Sequence, residues 1–302
     1  MNHFNSTSAQ GISCAGREHV ANLHPCFSGG VNMNRGRVHL PVCPACNIQC
    51  AFCNRTRNET ELRPGVTAQL LTPERAADIV DQALELCPEI TVAGIAGPGD
   101  TLATHHAIDT FRLIQKRHPE LINCLSTNGL LLEQYAEELI EVGVRTITVT
   151  VNAVDPEILK YICLWVVKNG KRYEGVEGAT ILIEVQKRGI AKISALGALV
   201  KVNMVLVPGI NDSHVEEVAR TVRELGANFL NIIPLIPQYK LYHLLEPSCE
   251  ELYEARAQAE VYLPVFRHCQ RCRADACGIP GKTELADQLY QFRQAPTTFS
   301  HG

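Results

Sequence analysis

Residues 43–54 read CPACNIQCAFCN, which places four thiols, Cys43, Cys46, Cys50 and Cys53, in eleven positions with the spacing C-x2-C-x3-C-x2-C. Thiols so close together suit a tetrahedral zinc, a pair of disulfides, or an iron–sulfur cluster with one iron left open. Two CxxC pairs make a zinc knuckle, but here only three residues separate the pairs, far fewer than is usual. A bacterial ferredoxin run has another order, C-x2-C-x2-C-x3-C-P. Setting Cys43 aside leaves C-x3-C-x2-C with Phe52 before the last thiol. Three thiolates on one tight loop can hold three corners of a four-iron cube.

The rest of the chain limits the choice. It has 302 residues, 46% hydrophobic and 20% charged, the balance of an ordinary globular protein. A net charge of −4, with no Lys/Arg block longer than two residues, gives no footprint for nucleic acid. The longest apolar candidate, ALGALVKVNMVLVPG, is interrupted by Lys201 and Asn203, so no membrane span is expected. The first residues, MNHFNSTSAQGIS, lack the basic start and apolar run of a signal peptide. A cytoplasmic protein is expected. In that compartment thirteen cysteines, an odd number, point to metal rather than disulfides.

A β-then-α rhythm runs from about residue 88 to 260. Apolar stretches read as buried parallel strands at 90–97, 122–129, 146–153, 199–209 and 228–237, with VHLPV (38–42) as a first strand before the thiol loop. Helical patterns fill 72–87, 106–118, 132–143 and 212–226. The first opens on Thr72 and Pro73, and the last two end on Gly143 and Gly226. The longer segment 156–198 reads as two helices about a turn at Asn169-Gly170. About six βα units suggest a partial barrel or a doubly wound sheet, since a closed barrel needs eight.

The CxxxCxΦC loop, after a strand and ahead of a βα series, resembles the signature of the radical S-adenosylmethionine (SAM) superfamily. The resemblance implies an α/β fold, a partial (βα)6 TIM-like barrel with irregular N- and C-terminal extensions. It also implies a 4Fe-4S cluster on Cys46, Cys50 and Cys53 whose open iron binds SAM and whose electron cleaves it to a 5′-deoxyadenosyl radical. AGIAGPGD (93–100) resembles the glycine-rich segment that holds the SAM amino group, so Gly97, Gly99 and Asp100 become candidate SAM contacts. STNG (126–129) resembles the ribose-lining segment, which adds Ser126 and Asn128. Asn152 and, on the fifth-strand motif VKVNMVLVPGINDS, Asn203 complete the set.

The cysteines outside the loop narrow the resemblance. HPCFS, GRVHLPVCPACNIQCAFCN, RPGV, AGPGD, STNG, NAVDPEI, VKVNMVLVPGIND, NIIPLIP and RHCQRCRADA, spread from residue 24 to about 278, resemble the NifB family of nitrogenase cofactor biosynthesis proteins. That family implies a cofactor-maturation enzyme of lyase or transferase type. It joins two further 4Fe-4S substrate clusters and inserts a SAM-derived carbide to form the eight-iron precursor of the nitrogenase cofactor. By position, His24, Cys26 and Cys124 would hold one substrate cluster and Cys269 with Cys272 the other. The implied partners are an iron–sulfur cluster donor, an electron donor such as ferredoxin or flavodoxin, and nitrogenase cofactor carrier or scaffold proteins. The implied organisation is an N-terminal arm (1–35), a radical SAM core (36–265) and a CxxC-bearing tail (266–302).

The chain departs from the family in the loop TRNETEL, which lacks a thiol usual there, and in carrying Cys43 and Cys277. Cys14, Cys87, Cys163 and Cys249 read as structural. Two other readings stay open: a molybdopterin-precursor cyclase, which leaves His24-Pro25-Cys26 unexplained, and a non-catalytic iron–sulfur scaffold or carrier, which needs no SAM-binding strands.

Overall fold

Parallel strands follow one another in chain order around one curled sheet, each trailed by a helix. The computed structural model describes residues 14–27, 34–54, 58 and 61–290. The start of the expected arm, the end of the expected tail and most of TRNETEL lie outside the described residues. The first half comprises α1 (Cys14–Leu23), β1 (Gly36–His39), β2 (Ile48–Cys50), α2 (Pro73–Leu86), β3 (Ile90–Ile95), α3 (His106–Arg117), β4 (Ile122–Thr127) and α4 (Leu132–Glu141). The second comprises β5 (Val144–Thr150), α5 (Pro156–Leu159), β6 (Cys163–Lys168), β7 (Lys171–Glu174) and α6 (Gly175–Ala195). It continues with β8 (Leu199–Leu206), α7 (Val215–Glu224), β9 (Phe229–Pro234), α8 (Cys249–Glu260), β10 (Cys277–Gly278) and α9 (Ala286–Leu289).

The main sheet has the order β10-β1-β3-β4-β5-β8-β9, parallel except for β10, which runs antiparallel along β1. The expected partial (βα)6 barrel is present, its two edges unjoined. Among the described residues no helix is long and apolar enough to cross a membrane.

Strand alternation sorts the residues. Val38, Ala93, Ile95, Leu125, Ile147, Val149, Val200, Val202, Leu230 and Ile232 pack outward into the main core beneath the helices. Their alternates, among them His39, Gly94, Cys124, Ser126, Thr148, Lys201, Asn203 and Asn231, face the lumen. The helix signals act as read. Thr72 accepts a hydrogen bond from the Arg75 amide at 3.3 Å with Pro73 in the first turn. Gly143 and Gly226 turn the chain at φ +82° and +96°.

The expectation of two helices in 156–198 is corrected. A single turn of helix, α5, leads into a β6–β7 hairpin, and only then does α6 begin. Asn169 and Gly170 have φ values of 52° and 74°, the paired positive angles of a two-residue hairpin turn. The hairpin matters because β2, the strand that carries Cys50, adds to it antiparallel, Ile48 opposite Val166 and Gln49 opposite Trp165. A second sheet, β2-β6-β7, thus anchors the thiol loop.

Candidate active site

The thiol loop is fastened by several segments, Lys240 and Leu241 among them, whose amides donate to the Ala51 carbonyl at 2.9 and 3.3 Å. From the hairpin side, the Ala51 amide donates to the Ile162 carbonyl at 2.8 Å and the Val167 amide to the Asn47 carbonyl at 2.7 Å. From the segment after β3, the Gly99 amide donates to the Cys43 carbonyl and the Asp100 amide to the Ala45 carbonyl, both at 2.9 Å. From within, the Gln49 side chain donates to the carbonyls of Cys50 and Cys53 at 3.0 and 2.7 Å. These bonds fix the backbone of the loop, which suits ligands that must meet a fixed geometry.

That setting separates the four thiols. Cys46, Cys50 and Cys53 line a cavity of about 370 Å³ inside the barrel. Cys43 does not; it is buried in the main core beside a bridge to Pro98, and burial pushes its thiol pKa far up. Among the described residues no three Cys, His, Asp or Glu side chains converge closely enough for a single metal ion.

Of the expected SAM contacts, Gly99, Asp100, Ser126, Asn128, Asn152 and Asn203 all line the cavity, whereas Gly97, at φ +128°, packs against Gly65 and Ala274 instead. Asp100 is 5% exposed and fully engaged: Thr127 donates at 2.9 Å, the Asn128 amide at 2.6 Å and the Leu102 amide at 3.0 Å. Burial raises its pKa and these donors oppose the rise. Its carboxylate braces the turn that presents Asn128, and Asn128 in turn donates to Asn47 at 2.7 Å and lies 3.9 Å from the Cys46 sulfur. Asn152 accepts from the Val205 amide at 2.9 Å. Asn203 accepts from Asn231, its neighbour in register on β9, at 3.0 Å, and the Asn231 oxygen is buried without a partner among the described residues. A buried amide oxygen with nothing to accept from marks a place for a donor-bearing ligand.

The same cavity is also lined by His24, Cys26, Cys124, Cys269 and Cys272, and with them His39, which the sequence reading passed over. His39 sits on β1 opposite Gly94, which in turn sits opposite Cys124. With no side chain on Gly94, imidazole and thiol face a shared space two strands wide, about 10 Å; a Cβ at Gly94 would come within 2.8 Å of the His39 ring. His39 Nδ1 lies 2.9 Å from the Arg273 carbonyl. A carbonyl accepts only, so Nδ1 carries the hydrogen and Nε2 keeps a lone pair, the form in which histidine binds metals. Burial, then Arg37, lowers its pKa to about 4, so the ring is neutral near pH 7.

His24 has the opposite arrangement. Its Nδ1 accepts from the Cys26 amide at 3.0 Å, so Nε2 carries the hydrogen, and that nitrogen is buried without a partner among the described residues. Burial, followed by Lys201 and His39, lowers its pKa well below the ordinary histidine value. Burial raises the Cys26 thiol to about 11; Lys201 opposes the rise, while Cys272, Cys269 and Cys124 add to it. Cys26 therefore neighbours the CxxC pair as well as Cys124. Arg37, 4% exposed on its side chain, donates to the Cys272 sulfur at 3.3 Å, to Glu284 at 3.2 Å and to the Gly278 carbonyl at 2.8 Å.

Comparison with known proteins gives the family of the chain. The radical SAM superfamily model matches residues 40–222, and the chain belongs to that superfamily. SuiB of Streptococcus suis superposes with a TM-score of 0.54 at 14% identity over 83% of this chain and 53% of that one. Methylornithine synthase (PylB) does so at 0.51 and 13%, over 84% and 71%. At such identity these share the fold alone, and the chain spans about half the length of SuiB. The FeMo cofactor biosynthesis protein NifB of Methanocaldococcus jannaschii is 46% identical over 275 residues, 90% of this chain and 91% of the relative. That of Klebsiella pneumoniae is 44% identical over 284 residues, 91% of this chain but 60% of the longer relative. Within the superfamily the chain belongs to the NifB family.

Proposed function

We propose that this enzyme assembles the eight-iron carbide core of the nitrogenase cofactor from two 4Fe-4S substrate clusters inside one cavity. The observation that carries the reading is the gathering of Cys26, Cys124, Cys269, Cys272, His24 and His39 in the cavity that Cys46, Cys50 and Cys53 also line. An ordinary radical SAM enzyme needs only the last three. When bound, the three-thiol cluster and SAM would supply a methyl group as the carbon source and a 5′-deoxyadenosyl radical to strip its hydrogens.

The chain's own residues do the positioning. Cys46, Cys50 and Cys53 hold the SAM cluster, while Asn128, Asn152, Asn203, Ser126 and the Gly99 and Asp100 backbone line the space SAM would fill. We assign the substrate sites by neighbourhood. Cys26, Cys269 and Cys272 form one, since the charges of the two CxxC thiols act on Cys26 more strongly than that of Cys124. Cys124 and His39 form the other, across the gap at Gly94. His24 then serves by fixing the Cys26 backbone through Nδ1 rather than as an iron ligand. Two or three protein ligands per substrate cluster leave irons exchangeable, as a cluster that must depart requires. Delivery and removal call for the partners the resemblance implies: a cluster donor, a low-potential electron donor such as ferredoxin or flavodoxin, and a cofactor carrier or scaffold.

The test is anaerobic reconstitution with iron and sulfide, then SAM and dithionite, counting iron and measuring 5′-deoxyadenosine and S-adenosylhomocysteine. Three clusters per chain and formation of both products are expected. Saturation at one cluster, or 5′-deoxyadenosine without S-adenosylhomocysteine, would overturn the reading.

A further inference from the structure

Lys201 stands on the lumen side of β8 and is 6% exposed. Its ammonium donates to the Cys26 carbonyl at 3.4 Å and lies 4.8 Å from the centre of the Phe27 ring and 5.1 Å from that of Phe266. Among the described residues no carboxylate pairs with it. Rings and carbonyls hold a cation in place without cancelling its charge. A buried ammonium left in that state is costly unless an anion joins it.

The cavity supplies no such anion of its own. Its other charged walls are Arg63 and Arg271, both cationic, and Asp100, whose carboxylate is already engaged by Thr127, Asn128 and Leu102. Lys201 is placed between the two sets of ligands. It bonds to the Cys26 backbone, and it occupies the rung of Ser126 and Thr148, one step along the sheet from Cys124. Its charge is felt at the Cys26 and Cys124 thiols alike, where it opposes the effect of burial.

Iron–sulfur cubes ligated by thiolates are anions. Two of them in one low-dielectric chamber repel each other, and a cation between them offsets that repulsion. We propose that Lys201 is the shared counter-charge of the two substrate clusters, the residue that lets both occupy the cavity together. This rests on the cofactor-assembly reading above. Lys201 is thus a positioning residue that acts through charge and is fixed in place by Phe27 and Phe266.

The experiment compares wild type with Lys201→Met, Lys201→Gln and Lys201→Arg in the full chain. Each is reconstituted anaerobically without SAM at graded iron, and clusters are counted by Mössbauer and electron paramagnetic resonance spectroscopy. Met keeps the stem packed on the two rings, and Gln keeps a donor for the Cys26 carbonyl, but both lose the charge. Both are expected to retain the SAM cluster and one substrate cluster, while double occupancy of the substrate sites at limiting iron falls at least tenfold. Arg should restore it. If Met or Gln loads both substrate clusters as wild type does, or if Arg fails as they do, the inference is overturned. Wild type that saturates at the SAM cluster sinks the assembly reading itself, and the counter-charge with it. Equal loading of wild type and the neutral variants sinks the counter-charge alone.

Discussion

Gly99→Ala tests whether the segment after β3 sets the thiol loop. A Cβ at Gly99 would lie 2.0 Å from the Ala45 carbonyl oxygen, 2.5 Å from its carbon and 3.0 Å from the Cys43 oxygen. All three are backbone atoms, so no side-chain tip can swing aside. Relief requires the two segments to part by roughly 1 Å, an overpacking worth about 1–3 kcal/mol. The same movement stretches the hydrogen bonds from Gly99 to Cys43 and from Asp100 to Ala45, each 2.9 Å now, at about 1 kcal/mol apiece. The sum is about 3–5 kcal/mol, a drop in Tm on the order of 10 °C for a domain of this size. Because the strain falls on the loop, iron binding by Cys46, Cys50 and Cys53 should suffer more than the fold. Circular dichroism melts of the apo-protein and the reduced SAM-cluster signal in electron paramagnetic resonance report the two effects separately. A Gly99→Ala variant that melts within about 0.5 kcal/mol of wild type and loads that cluster normally would refute the reasoning.

Cys43→Ala should leave SAM cleavage intact, whereas Ala at Cys46, Cys50 or Cys53 should abolish it; equal loss from all four would restore the four-thiol zinc. Cys26→Ala is expected to delete the same cluster signal as Cys269→Ala with Cys272→Ala, and His39→Ala the same signal as Cys124→Ala, with spectra of singly loaded protein as the check. Thr127→Val removes the hydroxyl facing the buried Asp100 carboxylate and should cost about 1–3 kcal/mol in urea melts; no loss would mean the carboxylate is not braced as described. Gly170→Ala meets no atom within 4 Å, so its cost of roughly 1 kcal/mol should be conformational and leave cluster loading unchanged.

Much of this was legible in the sequence because strands and helices announce themselves by period. Cys124 and Ser126, two apart on an apolar strand, had to share a face, and they do. The thiol loop carried its own spacing. Other features depend on register, which spacing does not reveal. His39 is one imidazole on a strand, and its neighbours Gly94 and Cys124 are brought beside it by the sheet. Lys201 looked like a break in an apolar run until the lumen supplied its rings. In 156–198 the run CLWVVK, β-branched and aromatic, already favoured a strand, and Asn-Gly is the strongest hairpin signal of all. Reading those residues as helix ignored both. Gly99 and Asp100 resembled ligand contacts, yet their amide hydrogens are spent on the thiol loop, a destination that only tertiary structure discloses.

The tail's pairing along β1 has a consequence in time. The last partners of the thiol loop, Lys240 and Leu241, whose amides donate to the Ala51 carbonyl, precede the CxxC segment, so a growing chain can complete the loop before β10 is made. The site proposed for Cys26, Cys269 and Cys272 closes only when the segment after α8 docks through β10 and Arg37 bonds to Cys272. Long-range closures of that kind come late in folding. On the proposed assignment, the loop of Cys46, Cys50 and Cys53 is therefore complete before the second substrate site exists, and cluster delivery would wait until the CxxC segment has docked.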